Sequence, residues 1–418
     1  GGLILAQLKA LGWTDNSTTA TFSAITTAGM FLGALVGGII GDKTGRRNAF
    51  ILYEAIHIAS MVVGAFSPNM DFLIACRFVM GVGLGALLVT LFAGFTEYMP
   101  GRNRGTWSSR VSFIGNWSYP LCSLIAMGLT PLISAEWNWR VQLLIPAILS
   151  LIATALAWRY FPESPRWLES RGRYQEAEKV MRSIEEGVIR QTGKPLPPVV
   201  IADDGKAPQA VPYSALLTGV LLKRVILGSC VLIAMNVVQY TLINWLPTIF
   251  MTQGINLKDS IVLNTMSMFG APFGIFIAML VMDKIPRKTM GVGLLILIAV
   301  LGYIYSLQTS MLLITLIGFF LITFVYMYVC YASAVYVPEI WPTEAKLRGS
   351  GLANAVGRIS GIAAPYAVAV LLSSYGVTGV FILLGAVSII VAIAIATIGI
   401  ETKGVSVESL SIDAVANK

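Results

Sequence analysis

Charge is scarce in this 418-residue chain: Asp, Glu, Lys and Arg supply 12% of it, against 56% for hydrophobic residues. A soluble domain carries about 25% charged residues, so the chain lacks the polar surface a globule needs in water and belongs in lipid. Histidine is nearly absent, with His57 alone, and the four cysteines, Cys76, Cys122, Cys230 and Cys330, fall in apolar runs without metal-ligand spacing. A metal centre is therefore not expected, and the thiols read as small buried hydrophobes. No set of nucleophile, base and metal ligands points to an enzyme, no phosphate-binding loop points to ATP, and no cofactor is implied. A cleavable signal peptide is not expected either, because no charged segment precedes the first apolar stretch.

What the chain has is long apolar runs. A membrane-crossing helix needs about 20 such residues, and eleven complete runs are present, over approximately 17–40, 48–66, 72–95, 106–133, 141–160, 222–246, 259–281, 290–307, 310–337, 349–371 and 377–398. The formal net charge of +8 would by itself suit nucleic acid, but its distribution decides otherwise. Of 29 Lys and Arg, 24 lie at the ends of the runs or beyond them on one side, three (Lys9, Arg140, Lys258) lie on the other, and two (Arg77, Arg358) lie well inside runs. That asymmetry is the positive-inside signal and makes the basic side cytoplasmic. A multi-pass protein of the bacterial inner membrane with a cytoplasmic C-terminus follows, surrounded by lipid, weakly attracted to its anionic members, and with no nucleic-acid partner.

Three polar stretches recur after nearly the same interval. Asp42 in Gly41–Arg47 is echoed by Asp283 before Pro286-Arg287-Lys288 (283 − 42 = 241), and Glu97, with Pro100, Arg104 and Gly105, by Glu339, with Pro342, Arg348 and Gly349 (339 − 97 = 242). Glu163 in Pro162-Glu163-Ser164-Pro165 is echoed by Glu401 in Glu401-Thr402-Lys403-Gly404 (401 − 163 = 238). Three echoes in register indicate a duplicated six-helix unit. The run at 222–246 then has its counterpart mostly before residue 1, so a first helix is expected to be largely missing. The division is an N-terminal bundle over 1–160, a hydrophilic loop over 161–221, a C-terminal bundle over 222–398 and a tail over 399–418. Within the loop, Ala177, Val180, Met181, Ile184 and Val188 recur at helical spacing and predict a surface helix, while Lys194 to Pro212 reads as linker.

These stretches resemble the marks of the major facilitator superfamily. Gly41–Arg47 resembles its loop signature, Arg77-Phe78-Val79-Met80-Gly81 its fourth-helix Arg-Gly motif, and Pro162–Leu168, Pro338–Thr343 and Glu401–Gly404 the marks of its sugar-porter and organic-ion branches. The resemblance spans nearly the whole chain and implies an all-α multi-pass fold of two six-helix bundles related by a pseudo-twofold, acting as a secondary transporter by alternating access. It also implies proton coupling, in which Arg77 partners an acid on the absent helix, and a functional monomer. Pro247 resembles the break at the outer end of the seventh helix of sugar porters.

Physically, the loop residues suit a latch between the bundles. Asp42, Arg46, Arg47, Arg104, Arg166, Asp283 and Arg348 can meet helix ends and Glu97, Glu163, Glu339 and Glu401 across the cytoplasmic face, gating the inward path; the competing reading is topology signals and solvated pairs worth about 0–1 kcal/mol each. Pro286-Arg287-Lys288 departs from the family's Gly-Arg-Arg, so the second side is expected to be weaker. Glu54 and His57 share a face at i and i+3 and read as a structural or latch pair rather than a proton relay.

Inside the membrane, Arg358 sits near the middle of its run, where a cation costs about 2.5–3.5 kcal/mol and needs a cavity and a partner. Its counterpart in the repeat is Asn116 (358 − 116 = 242), beside Trp117. An arginine here resembles the organic-anion and aromatic-acid carriers, where it faces a substrate carboxylate. Asn236, Gln239, Tyr240, Asn244 and Trp245 end the seventh run, and Tyr326, Tyr328 and Tyr331 occupy the tenth. Together they form the expected lining of a substrate site. The expected function is proton-coupled import of a small polar, anionic metabolite such as a sugar acid or aromatic acid. Neutral-sugar symport, drug efflux and a non-transporting sensor are the alternatives.

Overall fold

The protein is known here through a computed structural model, which describes residues 1–98, 104–196, 212–282, 284–342 and 345–402, without the side chains of 92–98, 104–109 and 346–347. Asp283, the side chains of Glu97 and Arg104, and Pro100, Thr343, Lys403 and Gly404 of the motifs therefore lie outside the described residues, as does most of the linker.

The chain runs through α1 (Gly2–Ala10), α2 (Asn16–Thr44), α3 (Arg46–Ala65), α4 (Met70–Tyr98), α5 (Arg104–Asn116), α6 (Ser118–Leu129) and α7 (Ala135–Tyr160). Short α8 (Pro165–Ser170), the surface helix α9 (Tyr174–Thr192) and α10 (Tyr213–Leu216) follow. Then come α11 (Gly219–Thr252), α12 (Leu257–Met268), α13 (Gly270–Val281), α14 (Arg287–Ser306), α15 (Met311–Cys330), a π-helical turn (Tyr331–Tyr336), α16 (Val337–Glu339) and α17 (Lys346–Ile398). Among the described residues nine helical runs are long and apolar enough to cross a membrane.

The differences from the expected runs have local causes. The run at 106–133 divides into α5 and α6 because Pro120 has no N–H to give the carbonyl of Asn116; the run at 259–281 divides after Met268, four residues before Pro272, for the same reason. The runs expected at 349–371 and 377–398 both lie in α17, whose 51-residue stretch from Arg348 to Ile398 would span about 77 Å as one straight helix, over twice the hydrocarbon core of about 30 Å. Gly376, at φ 63°, supplies the turn between two crossings, in a conformation that a residue with a Cβ resists.

The described chain forms two compact units, one of residues 1–27, 108–142 and 208–418 and one of residues 28–107 and 143–207. In the second unit, α2 and α4 touch backbone to backbone. A Cβ on Gly29, Gly33 or Gly37, spaced four apart on one helical face, would lie 2.4 Å from the Phe78 carbonyl oxygen, 2.0 Å from that of Val82 and 2.5 Å from the Ala86 Cα. Such small-residue seams let membrane helices gain dispersion contacts and buried dipole interactions that bulkier side chains would prevent. The Tyr53 hydroxyl adds a 2.9 Å hydrogen bond to the Gly37 carbonyl. On the surface, Ala177 and Val180 of α9 pack on Trp167 and Leu168 of α8, as the apolar spacing predicts.

In the first unit the seam recurs. A Cβ on Gly270 would lie 2.4 Å from the Phe319 carbonyl oxygen, and one on Gly274 2.2 Å from that of Thr323. Gly270 and Gly274 stand 241 positions after Gly29 and Gly33, and Phe319 and Thr323 stand 241 after Phe78 and Val82. The duplication inferred from loop motifs is thus repeated inside the helices, contact for contact. At the core of this unit α11 receives α1, whose Gly2 meets the carbonyl oxygens of Ile243 and Asn244, and α17. Arg140, one of the three cations on the sparse side, lies 4.4 Å over the ring of Trp139, which is itself edge-on to Trp13 at 5.5 Å.

Candidate functional site

Arg358 is placed by two glycines. On α17, Gly357 and Gly361 are one turn apart and lie against α11, where their Cβ atoms would meet Leu232 and the Asn236 amide at 2.9 and 3.0 Å and the Tyr240 ring at 3.2 Å. This close approach brings α17 down on the Leu232, Asn236, Tyr240 face of α11 and sets the half-buried Arg358 within electrostatic reach of the Tyr240 hydroxyl. Tyr119 of α6 and Tyr326 of α15 join them. Their rings meet edge to face at 5.3 Å, and the buried Tyr326 hydroxyl faces Gln239 and Tyr119. Four helices thus bring one guanidinium, three phenols and an amide together inside a single unit. Arg358 forms no ion pair among the described residues.

Several expected lining residues stand elsewhere. Tyr328 is buried and its hydroxyl donates to the Val231 carbonyl at 3.1 Å, bracing α15 on α11. Tyr331 stacks on Tyr336 at 5.0 Å and fills the space left by Gly291, in the π-helical turn near Arg287 and Glu401. Both point away from the Tyr326 hydroxyl, because side chains two or five positions after Tyr326 leave its helical face. Trp117 is 40% exposed and contacts Phe113 and Phe269, so it belongs to the outer aromatic surface. The amides of Asn116 and Asn236 both donate to carbonyls one turn back on their own helices, Ser112 and Leu232, each at 2.7 Å. Asn244 meets α1 through its backbone, and Trp245 is fully buried with no partner for its indole N–H among the described residues. Tyr119 was missed by sequence reasoning; its position beside Pro120, where the helix breaks, was the available signal.

The loop motifs build two matching helix caps. Glu163 accepts from the backbone N–H groups of Arg46 and Arg47 at 2.7 and 3.2 Å, at the start of α3. Glu401 accepts from those of Arg287 and Lys288 at 2.8 and 3.1 Å, at the start of α14. A carboxylate here satisfies donors that no helical carbonyl can reach and meets the positive end of the helix dipole. Beside the first cap, Asp42 pairs with Arg46 at 2.7 Å. Arg287 grips both oxygens of Glu339, at 3.0 and 3.2 Å, and is 6% exposed, because Pro286 starts α14 and turns that side chain inward. Arg166 is exposed and Arg348 lies 5.2 Å over the Tyr213 ring. Arg77 donates to the Met80 sulfur at 3.1 Å, and His57 Nδ1 stands 3.7 Å from the Glu54 carboxylate.

Gly45 makes the first cap possible. Its φ is 94°, and a Cβ there would lie 2.2 Å from Glu163 Oε2. Gly45→Ala should therefore lower the thermal midpoint by more than Gly172→Ala, which shares a positive φ of 72° but has open space around it; strain alone costs about 1–3 kcal/mol. Equal losses in the two variants would show that the cap contributes nothing.

Comparison with known proteins agrees with this architecture. A family model described as sugar (and other) transporter matches residues 6–414. The inner membrane metabolite transport protein YdjE of Escherichia coli K12 is 44% identical over 98% of this chain and 90% of its own. The niacin transporter NiaP of Acinetobacter baylyi is 26% identical over 92% of this chain and 85% of its own. Among solved structures, the xylose transporter XylE of E. coli, a proton:xylose symporter, superposes with a TM-score of 0.76 at 18% identity, covering 97% of this chain and 95% of its own. The chain belongs to the sugar (and other) transporter family of the major facilitator superfamily, and is a membrane carrier of sugars or related metabolites rather than an enzyme.

Proposed function

We propose that the protein imports a small polar metabolite bearing a carboxylate, a sugar acid or an aromatic acid, together with protons. The moving bodies are the bundles at 1–160 and 222–398, in the bacterial inner membrane with the C-terminus cytoplasmic. Arg358 carries the reading: a half-buried guanidinium among phenols, in no ion pair among the described residues. A cation so placed costs several kcal/mol unless a counter-charge arrives, and a substrate carboxylate matches its fork geometry. Kinship with a niacin transporter supports an acid as cargo. Arg77 within the fourth span and likeness to a proton:xylose symporter support proton coupling.

The family description and the XylE-like fold favour a second reading, neutral-sugar symport, in which Arg358 is structural. Proteoliposome uptake separates the two. Under the first reading sugar acids or aromatic acids inhibit and neutral hexoses do not, and uptake collapses when the pH gradient is abolished. Inhibition by neutral hexoses alone would install the second.

A further inference from the structure

We propose that a pocket at the cation-rich end of α2 and α3 binds a phosphate-bearing anion. The pocket encloses about 340 Å³ and is lined by Asp42, Arg46, Arg166, Trp167, Ser170 and Arg171, within the size range of small-ligand sites, about 300–1,000 Å³. Among the described lining residues the charges do not cancel. The Asp42 carboxylate is held by Arg46 at 2.7 Å, which leaves two guanidinium groups over. Arg171 donates to the neutral Asp42 carbonyl at 2.7 Å, which positions it without neutralising it, and lies 5.9 Å from the Trp167 ring centroid. The Trp167 indole donates to the same carbonyl at 2.8 Å and holds the wall in place. Arg166 is exposed and forms no ion pair among the described residues.

Two uncompensated planar forks facing one cavity match the oxygens of a phosphate ester better than a single carboxylate, since each guanidinium engages two oxygens. The position suits this chemistry. The pocket lies where two membrane-crossing helices end and restart, between Thr44 and Arg46, the level at which lipid phosphates reside. On α3, a second cavity of about 470 Å³ is lined by Arg47, Asn48, Ile51, Leu52, Ala55 and Trp158. It is polar at one end and apolar along the helix, room for an acyl chain. The phosphate can come from a lipid headgroup or from a solute, and the experiment separates these sources.

The full-length protein in detergent is followed by scanning fluorimetry against inorganic phosphate, against chloride at matched ionic strength, and against phosphatidylglycerol or phosphatidylcholine in mixed micelles. Phosphate or phosphatidylglycerol is expected to raise the unfolding midpoint where chloride and phosphatidylcholine do not. Arg166→Ala, which breaks no hydrogen bond described here, should raise the half-saturating concentration about tenfold, the loss of one charge-assisted contact. Arg182→Ala, on the exposed face of α9, should leave it unchanged. A response to phosphatidylglycerol at concentrations where inorganic phosphate is silent identifies a lipid; the converse identifies a solute. No rise with either phosphate ligand, or the same rise in Arg166→Ala as in the parent, overturns the proposal.

Discussion

Arg358→Met is expected to weaken binding of an acidic substrate at least about a hundredfold while leaving the ligand-free protein as stable as its parent, or more so. The two halves of this result have one cause. Truncating one member of a buried, hydrogen-bonded charge pair costs about 2–5 kcal/mol, so loss of the guanidinium should fall wholly on the bound state. In the empty protein the same guanidinium forms no ion pair among the described residues, and replacing an uncompensated buried charge by an apolar group of similar volume is neutral or stabilising. Arg358→Lys should recover part of the affinity, since the charge returns without the fork. Midpoints measured with and without ligand check this. A structural arginine would show the opposite pattern, a fall in the ligand-free midpoint and little change in affinity.

Gly33→Val and Gly274→Val are expected to be the most damaging substitutions outside the site, each lowering stability by about 3 kcal/mol or more. Overpacking alone costs about 1–3 kcal/mol, and here the obstacle is backbone: the first side-chain atom would stand 2.0 Å from the Val82 carbonyl oxygen or 2.2 Å from that of Thr323. No rotamer relieves such a clash, so the helices must part and forfeit the whole seam. Gly38→Val, with no atom within 4 Å of its Cβ position, is the control on the same helix. Comparable thermal midpoints for Gly33→Val and Gly38→Val would show that α2 and α4 do not depend on contact through this face.

Much of this was legible before any coordinates. Helix placement followed from apolar run length, because lipid offers the backbone no hydrogen bonds and forces it into helices of a set length. Length alone placed the two crossings on either side of Gly376, but it says nothing of the interruptions before Pro120 and Pro272, where a missing donor breaks the helical ladder inside a run. The Glu163 and Glu401 motifs were legible as a recurring carboxylate, but spacing does not show which donors it meets, here the N–H groups that open α3 and α14. For the site, the three tyrosines 326, 328 and 331 look alike in the chain. Only the rotation of α15 separates Tyr326, facing Gln239 and Tyr119, from Tyr328, tied to the Val231 carbonyl.

Composition and pattern alone determined that the chain lives in a membrane, that it was duplicated with an offset near 241, and that Arg77 and Arg358 lie inside apolar runs. These are one-dimensional properties: transfer free energy and helix length are nearly additive along a sequence. Tertiary structure alone decided which glycines are seams, that Glu163 and Glu401 cap α3 and α14, and that Tyr119 and Tyr326 rather than Tyr328 and Tyr331 stand with Gln239, Tyr240 and Arg358. Each of those depends on how helices far apart in sequence rotate and approach, at distances set to a few tenths of an ångström by steric contact, which no local pattern encodes.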